Sequence, residues 1–357
     1  MSEWGVMVYL LIVGLALTAP AGQAPETPVT PPAGAATIHD IRPGPGVTAV
    51  KRLSAYSPAV AGTPGDTVVY VLDGRESGAT VFVAGGTHGN EIAGIMAAVV
   101  LVERARVQRG RLIVIPHANN SAIADTDPER PGPPFITLDT PSGKRQFRYG
   151  SRRTKATDQG APDPVKYRHP ASTEELAGNE SRNLNRAYPG RADGTLTQRI
   201  AFAIVELLKT EKVDLAFDLH EAGPESRLAW MVVANPKNLE VAAAAVLALE
   251  AADIQMKLEP SSAEFRGLSH REWGDVTKAQ AYLFETPSPG QMKDPRTADV
   301  VNDPKLPLAR RVGVQLASFS AVLDAFNESA APHAQVAVQD VPPAAEVAKS
   351  GVGAFLK

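Results

Sequence analysis

The chain has 357 residues, 44% of them hydrophobic and 21% charged, which is enough to bury a sizeable core in one large or two moderate domains without disulfide staples. A formal net charge of −3 offers no basic surface for a nucleic acid, and none is expected as a partner. The absence of cysteine excludes thiol nucleophiles and cysteine-ligated metal sites, and it suits an oxidising compartment.

Taken in chain order, residues 6–19 read VMVYLLIVGLALTA, an apolar run too short to span a bilayer comfortably. Ala19-Pro20-Ala21 then supplies a small-x-small cleavage site. Residues 1–21 are therefore expected to be a signal peptide, placing the mature protein in the periplasm or outside the cell with no membrane span left after cleavage. The region before the run carries Glu3 and no Lys or Arg, which is atypical of such signals. Residues 22–40 have the Pro/Ala-rich composition of a linker, residues 41–330 form the expected catalytic body, and residues 331–357 form an Ala/Pro-rich tail, expected to be loose.

Within the body, short apolar runs alternate with helical stretches. Strands are predicted at 67–72, 80–84, 111–116, 213–219, 230–234 and 279–284, and helices at 91–104, 197–209, 239–252 and 307–326. Continuously apolar strands separated by helices imply a mostly parallel, mixed sheet covered on both faces, so the fold class is α/β, a three-layer α/β/α sandwich. The interval 119–195 is rich in Gly, Pro and charge, and it is expected to wall an active site. Its basic cluster Lys144, Arg145, Arg148, Arg152 and Arg153 is read as a solvated loop.

Four polar elements interrupt this pattern. Gly85-Gly86-Thr87-His88-Gly89-Asn90-Glu91 lies where a buried strand gives way to a helix, and His88 and Glu91 are spaced to share one metal. Asp218 and His220 emerge on one face at the end of another apolar strand. Two His and one Glu with an open position is the ligand set of hydrolytic zinc sites. Asp218 is either a carboxylate orienting a ligand histidine or a plain turn residue. Asn185 and Arg186 offer a clamp for a substrate carboxylate or, alternatively, a salt-bridged loop. Glu285 ends the last apolar strand and suits a general base better than Glu221, which adjoins a ligand and alternates away from it. A further polar cluster at 268–275 is expected to line the pocket, with His270 or Arg271 touching substrate and Trp273 packing; His39, His117, His169 and His333 are read as structural or exposed.

The segments GGTHGNE, NLNRAYPG, DLHEAG and LFETP, in this order over about residues 65 to 328, resemble the succinylglutamate desuccinylase/aspartoacylase branch of the zinc carboxypeptidase superfamily. The resemblance implies a carboxypeptidase-like sandwich with one zinc per chain on His88, Glu91 and His220. It also implies a substrate carboxylate held by Asn185 and Arg186, and Glu285 as general base. Such proteins commonly carry Asp where this chain has Asn183, and they use an upstream arginine to polarise the scissile carbonyl. Arg182 is the nearest candidate for that role, with Arg168 and Arg153 in the same loop. The implied activity is zinc-dependent hydrolysis of the amide bond of an N-acyl amino acid or a related small substrate with a free carboxylate. The alternatives are a zinc carboxypeptidase acting on peptides or cell-wall fragments, a non-catalytic zinc-containing binding protein and, from the triad alone, a non-haem iron oxygenase.

Overall fold

The computed structural model describes residues 1, 40–126, 132–295 and 298–357. The expected signal peptide and nearly all of the expected linker lie outside the described residues. Strands β1 (Ala49–Arg52), β2 (Val68–Asp73) and β3 (Glu76–Ala84) lead into helix α1 (Ile92–Arg104), strand β4 (Arg106–Ile115) and the short helix α2 (Asn120–Ala124). Two small hairpins follow, β5 (Phe135–Thr140) with β6 (Gly143–Arg148), and β7 (Lys166–Tyr167) with β8 (Leu176–Ala177). The chain continues through α3 (Leu196–Thr210), β9 (Leu215–Ala222), β10 (Met231–Ala234), α4 (Leu239–Ala251), β11 (Lys257–Pro260), α5 (Ser269–Val276) and β12 (Gln280–Pro287). Helix α6 (Leu308–Ser329), strand β13 (Ala337–Gln339) and helix α7 (Ala344–Ser350) close the fold.

Among the described residues the main sheet has nine strands, in the order β1-β2-β4-β3-β9-β12-β10-β11 with β13 also paired to β4. Strands β4, β3, β9 and β12 form a parallel centre, whereas β1, β2, β10 and β13 join it antiparallel. The predicted strands and helices all appear, most within two residues of their expected ends, because each is an apolar run long enough to be covered on both faces. The strand predicted at 111–116 begins earlier, at Arg106, because its polar first half pairs with β13 at the margin of the sheet.

Side-chain alternation along the strands builds two cores. Phe217 and Leu219 of β9, with Tyr282 and Phe284 of β12, face α1, α4, α6 and α7. There Phe217 packs at 5.2–5.5 Å ring-to-ring from Tyr282, Phe284 and Phe319. Ala216, Ala281 and Phe82 face α3 and α5 on the other side. Helix α1 packs so closely on β9 that a Cβ at Gly94 would collide with the carbonyl oxygen of Leu219. Among the described residues the second face is covered by α3, the eight-residue α5 and short 3-10 turns. The carboxyl ends of β3, β9 and β12 are left open there, where ligands bind in sheets of this kind.

The tail is not loose. Val336, Val347, Val352 and Leu356 are buried, and Lys357 N donates to Glu103 Oε2 at 2.7 Å. Arg145 is buried in a two-pronged pair with Glu103, with nitrogens 2.8 and 2.7 Å from Oε2 and Oε1, and it reaches Asp40 at 2.9 Å. Sequence composition concealed this packing because the apolar residues of 336–356 are too sparse to make a periodic signal. The basic cluster is likewise corrected: Lys144 is exposed, but Arg145 and Arg153 are ion-paired and Arg152 enters the site described next.

No helix among the described residues is long and apolar enough to cross a membrane.

Candidate metal centre

The turn after β3 is tight because Gly86 adopts φ +68°, and a Cβ there would meet Pro116 O at 2.9 Å; a side chain would be strained as well as crowded. This turn delivers His88 and Glu91 to the start of α1. Parallel pairing of β9 with β12 sets His220 opposite Glu285, one strand spacing away on the same face.

His88 Nδ1 lies 2.6 Å from Glu91 Oε1, and His220 Nδ1 lies 2.8 Å from Glu91 Oε2. One donor atom from each of the three residues falls within 4.8 Å of the others, and all three residues are buried. The outer ring nitrogens are engaged as well. His88 Nε2 donates to Asn183 Oδ1 at 2.9 Å, and His220 Nε2 is 2.8 Å from Asp218 Oδ2, whose partner oxygen Oδ1 accepts from Thr87 Oγ1 at 2.8 Å. With both Nε2 atoms facing outer partners, the Nδ1 atom of each histidine lies against a different oxygen of Glu91. This donor set fits a zinc ion held at His88, Glu91 and His220, with outer partners fixing the tautomers. Burial disfavours a charge on His220, yet the carboxylates of Asp218 and Glu91 hold its pKa well above the ordinary value; the cluster is built around a positive charge.

Asn183 therefore does with an amide oxygen what a carboxylate does for His220. Its own Nδ2 donates to Glu180 Oε2 at 2.7 Å, and Glu180 pairs with Arg153 at 2.9 Å. Burial acts to raise the Glu180 pKa, but Arg152, Asn183 and Arg153 bring it down to about 2. A fully charged carboxylate fixes the amide in the orientation that accepts from His88.

The triad opens into a cavity of about 520 Å³, whose lining includes Arg152, Asn185, Arg186, His270, Phe265 and Glu285. Glu285 is buried, and burial raises its pKa to about 8 despite the favourable charge of His220. Arg186 Nη1 donates to Asn185 O at 2.7 Å, and no carboxylate among the described residues pairs with it. Burial and the neighbouring Arg152 depress its pKa, marking a cation that lacks an anion. Asn185 Oδ1 accepts from Ser269 N at 2.8 Å, which leaves the Nδ2 donor for a ligand. His270 is buried with Nδ1 2.9 Å from Ser261 Oγ, and burial followed by the charge of His220 lowers its pKa to about 3, so it enters the cavity as a neutral imidazole.

Two expected site residues stand elsewhere. Arg182 donates to Asp163 at 2.8 Å and to Thr154 O at 2.7 Å, and it does not line the cavity. Arg271 is drawn off by Asp275 at 2.9 Å. Of the other arginines named for the carbonyl, Arg153 serves Glu180 and Arg168 is exposed. The arginine in the cavity is Arg152, with Nη1 3.2 Å from Glu91 Oε1. Sequence reasoning left it within a basic run; only the return of residues 149–152 past the His88 turn, through Gly89 N to Ser151 O at 2.7 Å, singles it out.

Residues 165–281 match the model of the succinylglutamate desuccinylase/aspartoacylase catalytic domain. The similarity to that family covers about a third of the chain. The matched span holds Asn183, Asn185, Arg186, Asp218, His220 and His270, while His88, Glu91 and Glu285 lie outside it. A curated relative, the N-alpha-acetyl-L-2,4-diaminobutyric acid deacetylase of Halomonas elongata, is 28% identical over 151 residues, which is 42% of this chain and 30% of the relative's own length. Among solved structures, a succinylglutamate desuccinylase from Silicibacter sp. TM1040 is 20% identical, with a TM-score of 0.45 over 73% of this chain and 60% of the other. A metallo-carboxypeptidase from Burkholderia cenocepacia is 13% identical, with a TM-score of 0.49 over 82% and 67%.

Proposed function

We propose that this chain is a zinc-dependent hydrolase that cuts the amide bond of a small N-acyl amino acid bearing a free carboxylate. The observation that carries this reading is the convergence of three components in one cavity: the His88–Glu91–His220 donor set, the buried carboxyl of Glu285 one strand away, and the guanidinium of Arg186 without a carboxylate partner. His88, Glu91, His220, Asn185, Arg186 and Glu285 share this cavity, and the similarity of residues 165–281 to the desuccinylase/aspartoacylase catalytic domain supports amide chemistry.

A zinc ion on this donor set would acidify a water and polarise the scissile carbonyl. Arg186 receives the substrate carboxylate through two N–H donors, with Asn185 Nδ2 as a third. This anchoring fixes the amide over the triad and turns an encounter into a positioned reaction. Glu285, as the carboxylate, accepts a proton from the attacking water and delivers it to the leaving nitrogen; the C–N bond breaks, giving a carboxylate and a free amine. Arg152, at the mouth of the triad, replaces Arg182 as the donor facing the developing oxyanion.

The test is metal content of the purified protein together with turnover of N-acyl amino acids. About one zinc per chain, lost in His220→Ala, and hydrolysis lost in a Glu285→Gln variant that keeps its zinc, are the expected results. General acid–base work is worth roughly 10²- to 10⁴-fold, so a Glu285→Gln variant with undiminished rate overturns the assignment of the base. Folded protein without zinc, purified free of chelator, overturns the metal centre.

A further inference from the structure

We infer that the amino-acid half of the substrate carries an apolar side chain rather than a second charge, a reading that rests on the hydrolase function proposed above. The sheet register places the relevant surface. On the face that bears His220 and Glu285, β12 also presents Leu283, opposite Val233 of β10, while Met231 of β10 stands opposite Glu285. These three side chains form a small apolar cluster with Leu228, separate from both cores. Leu228, Val233 and Leu283 line the cavity, joined from the loop before α5 by Phe265 and Leu268.

This apolar floor lies on the side of the carboxylate clamp. Asn185 is tied to Ser269, the next residue His270 is tied to Ser261 just beyond β11, and the Phe265 ring stands 5.9 Å from His270, edge to face. An α-carboxylate seated on Arg186 therefore directs the side chain of the same α-carbon onto Phe265, Leu283 and Val233. Among the described residues lining the cavity, a second carboxylate there would find no unpaired cation, since Arg227 is paired with Glu259 at 2.7 Å and Arg152 stands beside Glu91 at the triad. A second ammonium fares no better: Glu259 is neutralised by Arg227, and Glu174 is exposed at the rim. Burying either charge without a partner is costly, whereas burying an aliphatic side chain against this floor is favourable.

The experiment measures dissociation constants of N-acetyl-leucine, N-acetyl-aspartate and N-acetyl-diaminobutyrate on the zinc-loaded full chain carrying Glu285→Gln, so that binding is read without turnover. The wild-type protein is assayed on the same three compounds. Roughly ten- to a hundredfold tighter binding of the leucine compound is expected, and Phe265→Arg, a change at a half-buried loop residue, should shift the ratio toward aspartate. Tightest binding of the aspartate or diaminobutyrate compound, or a ratio indifferent to Phe265→Arg, overturns the inference. Preferential binding of the leucine compound with no hydrolysis by the wild type upholds the apolar subsite and overturns the hydrolase reading instead.

Discussion

At the scale of single residues, the site works through atoms one step removed from the triad. Asn183 Oδ1 accepts from His88 Nε2 while Glu180 holds the amide in place. Asn183→Ala should weaken zinc affinity about 10- to 100-fold, measured by competition with a chelator, whereas Asn183→Asp should retain it because the acceptor remains. Glu285 sets a second expectation. A general base acts only when deprotonated, and burial has pushed this carboxyl up to about 8. Catalytic efficiency should therefore fall as pH drops through a limb lying above the ordinary carboxylate range and no higher than about 8, since a bound cation pulls the value down. A flat profile across pH 5–8 would rule out this carboxyl as the base. Sequence order placed His88, Glu91, His220 and Glu285 at strand and helix ends, which is where an apolar run stops and a polar residue must have a purpose. Arg182, favoured by its nearness in sequence to Asn185, pairs with Asp163 and does not line the cavity.

At the scale of elements, β9 and α6 are locked together by one buried ion pair, and the same carboxylate ties β9 to α1. Glu221 alternates away from His220 to the opposite face of β9, where Oε2 accepts from Ala93 N at 3.0 Å and Oε1 meets Arg311 of α6, both side chains being fully buried. Burial raises the Glu221 pKa, and Arg311 opposes that shift. Arg311→Met removes the countercharge and should cost about 3–5 kcal/mol, read from the urea unfolding midpoint. Adding Glu221→Gln in the same chain should recover much of the loss, since the uncompensated charge is then gone. If the double variant is no more stable than the single one, the loss lies in packing rather than in the pair. The positions of α1, β9 and α6 were legible from their apolar periodicity. The pair was not, because a lone Glu after a histidine carries no mark of the partner 90 residues away.

At the scale of the whole molecule, residues 331–357 complete the fold. β13 extends the sheet, α7 packs on α6, and the Glu103–Arg145 pair is capped by Lys357. Removing residues 331–357 deletes the buried side chains of Val336, Val347, Val352 and Leu356, each worth about 1.5–3 kcal/mol, and exposes the surface they cover. The loss is of the same order as the 5–15 kcal/mol by which a typical domain is stable. The truncated chain should therefore lose its cooperative thermal transition in calorimetry. A transition within a few degrees of the full chain would mean that the docked segment contributes little.

The sequence by itself determined the layer architecture, the parallel centre of the sheet and the residues at its carboxyl end, because strand and helix periods are local properties and polar residues closing apolar runs stand out against them. The tertiary structure decided which arginine enters the cavity, which face of β9 carries His220 and which the ion pair, how residues 331–357 dock, and that an apolar floor extends from Glu285 to β10. Those outcomes depend on strand register and on contacts between segments far apart in the chain. No window along the sequence holds both partners of such a contact.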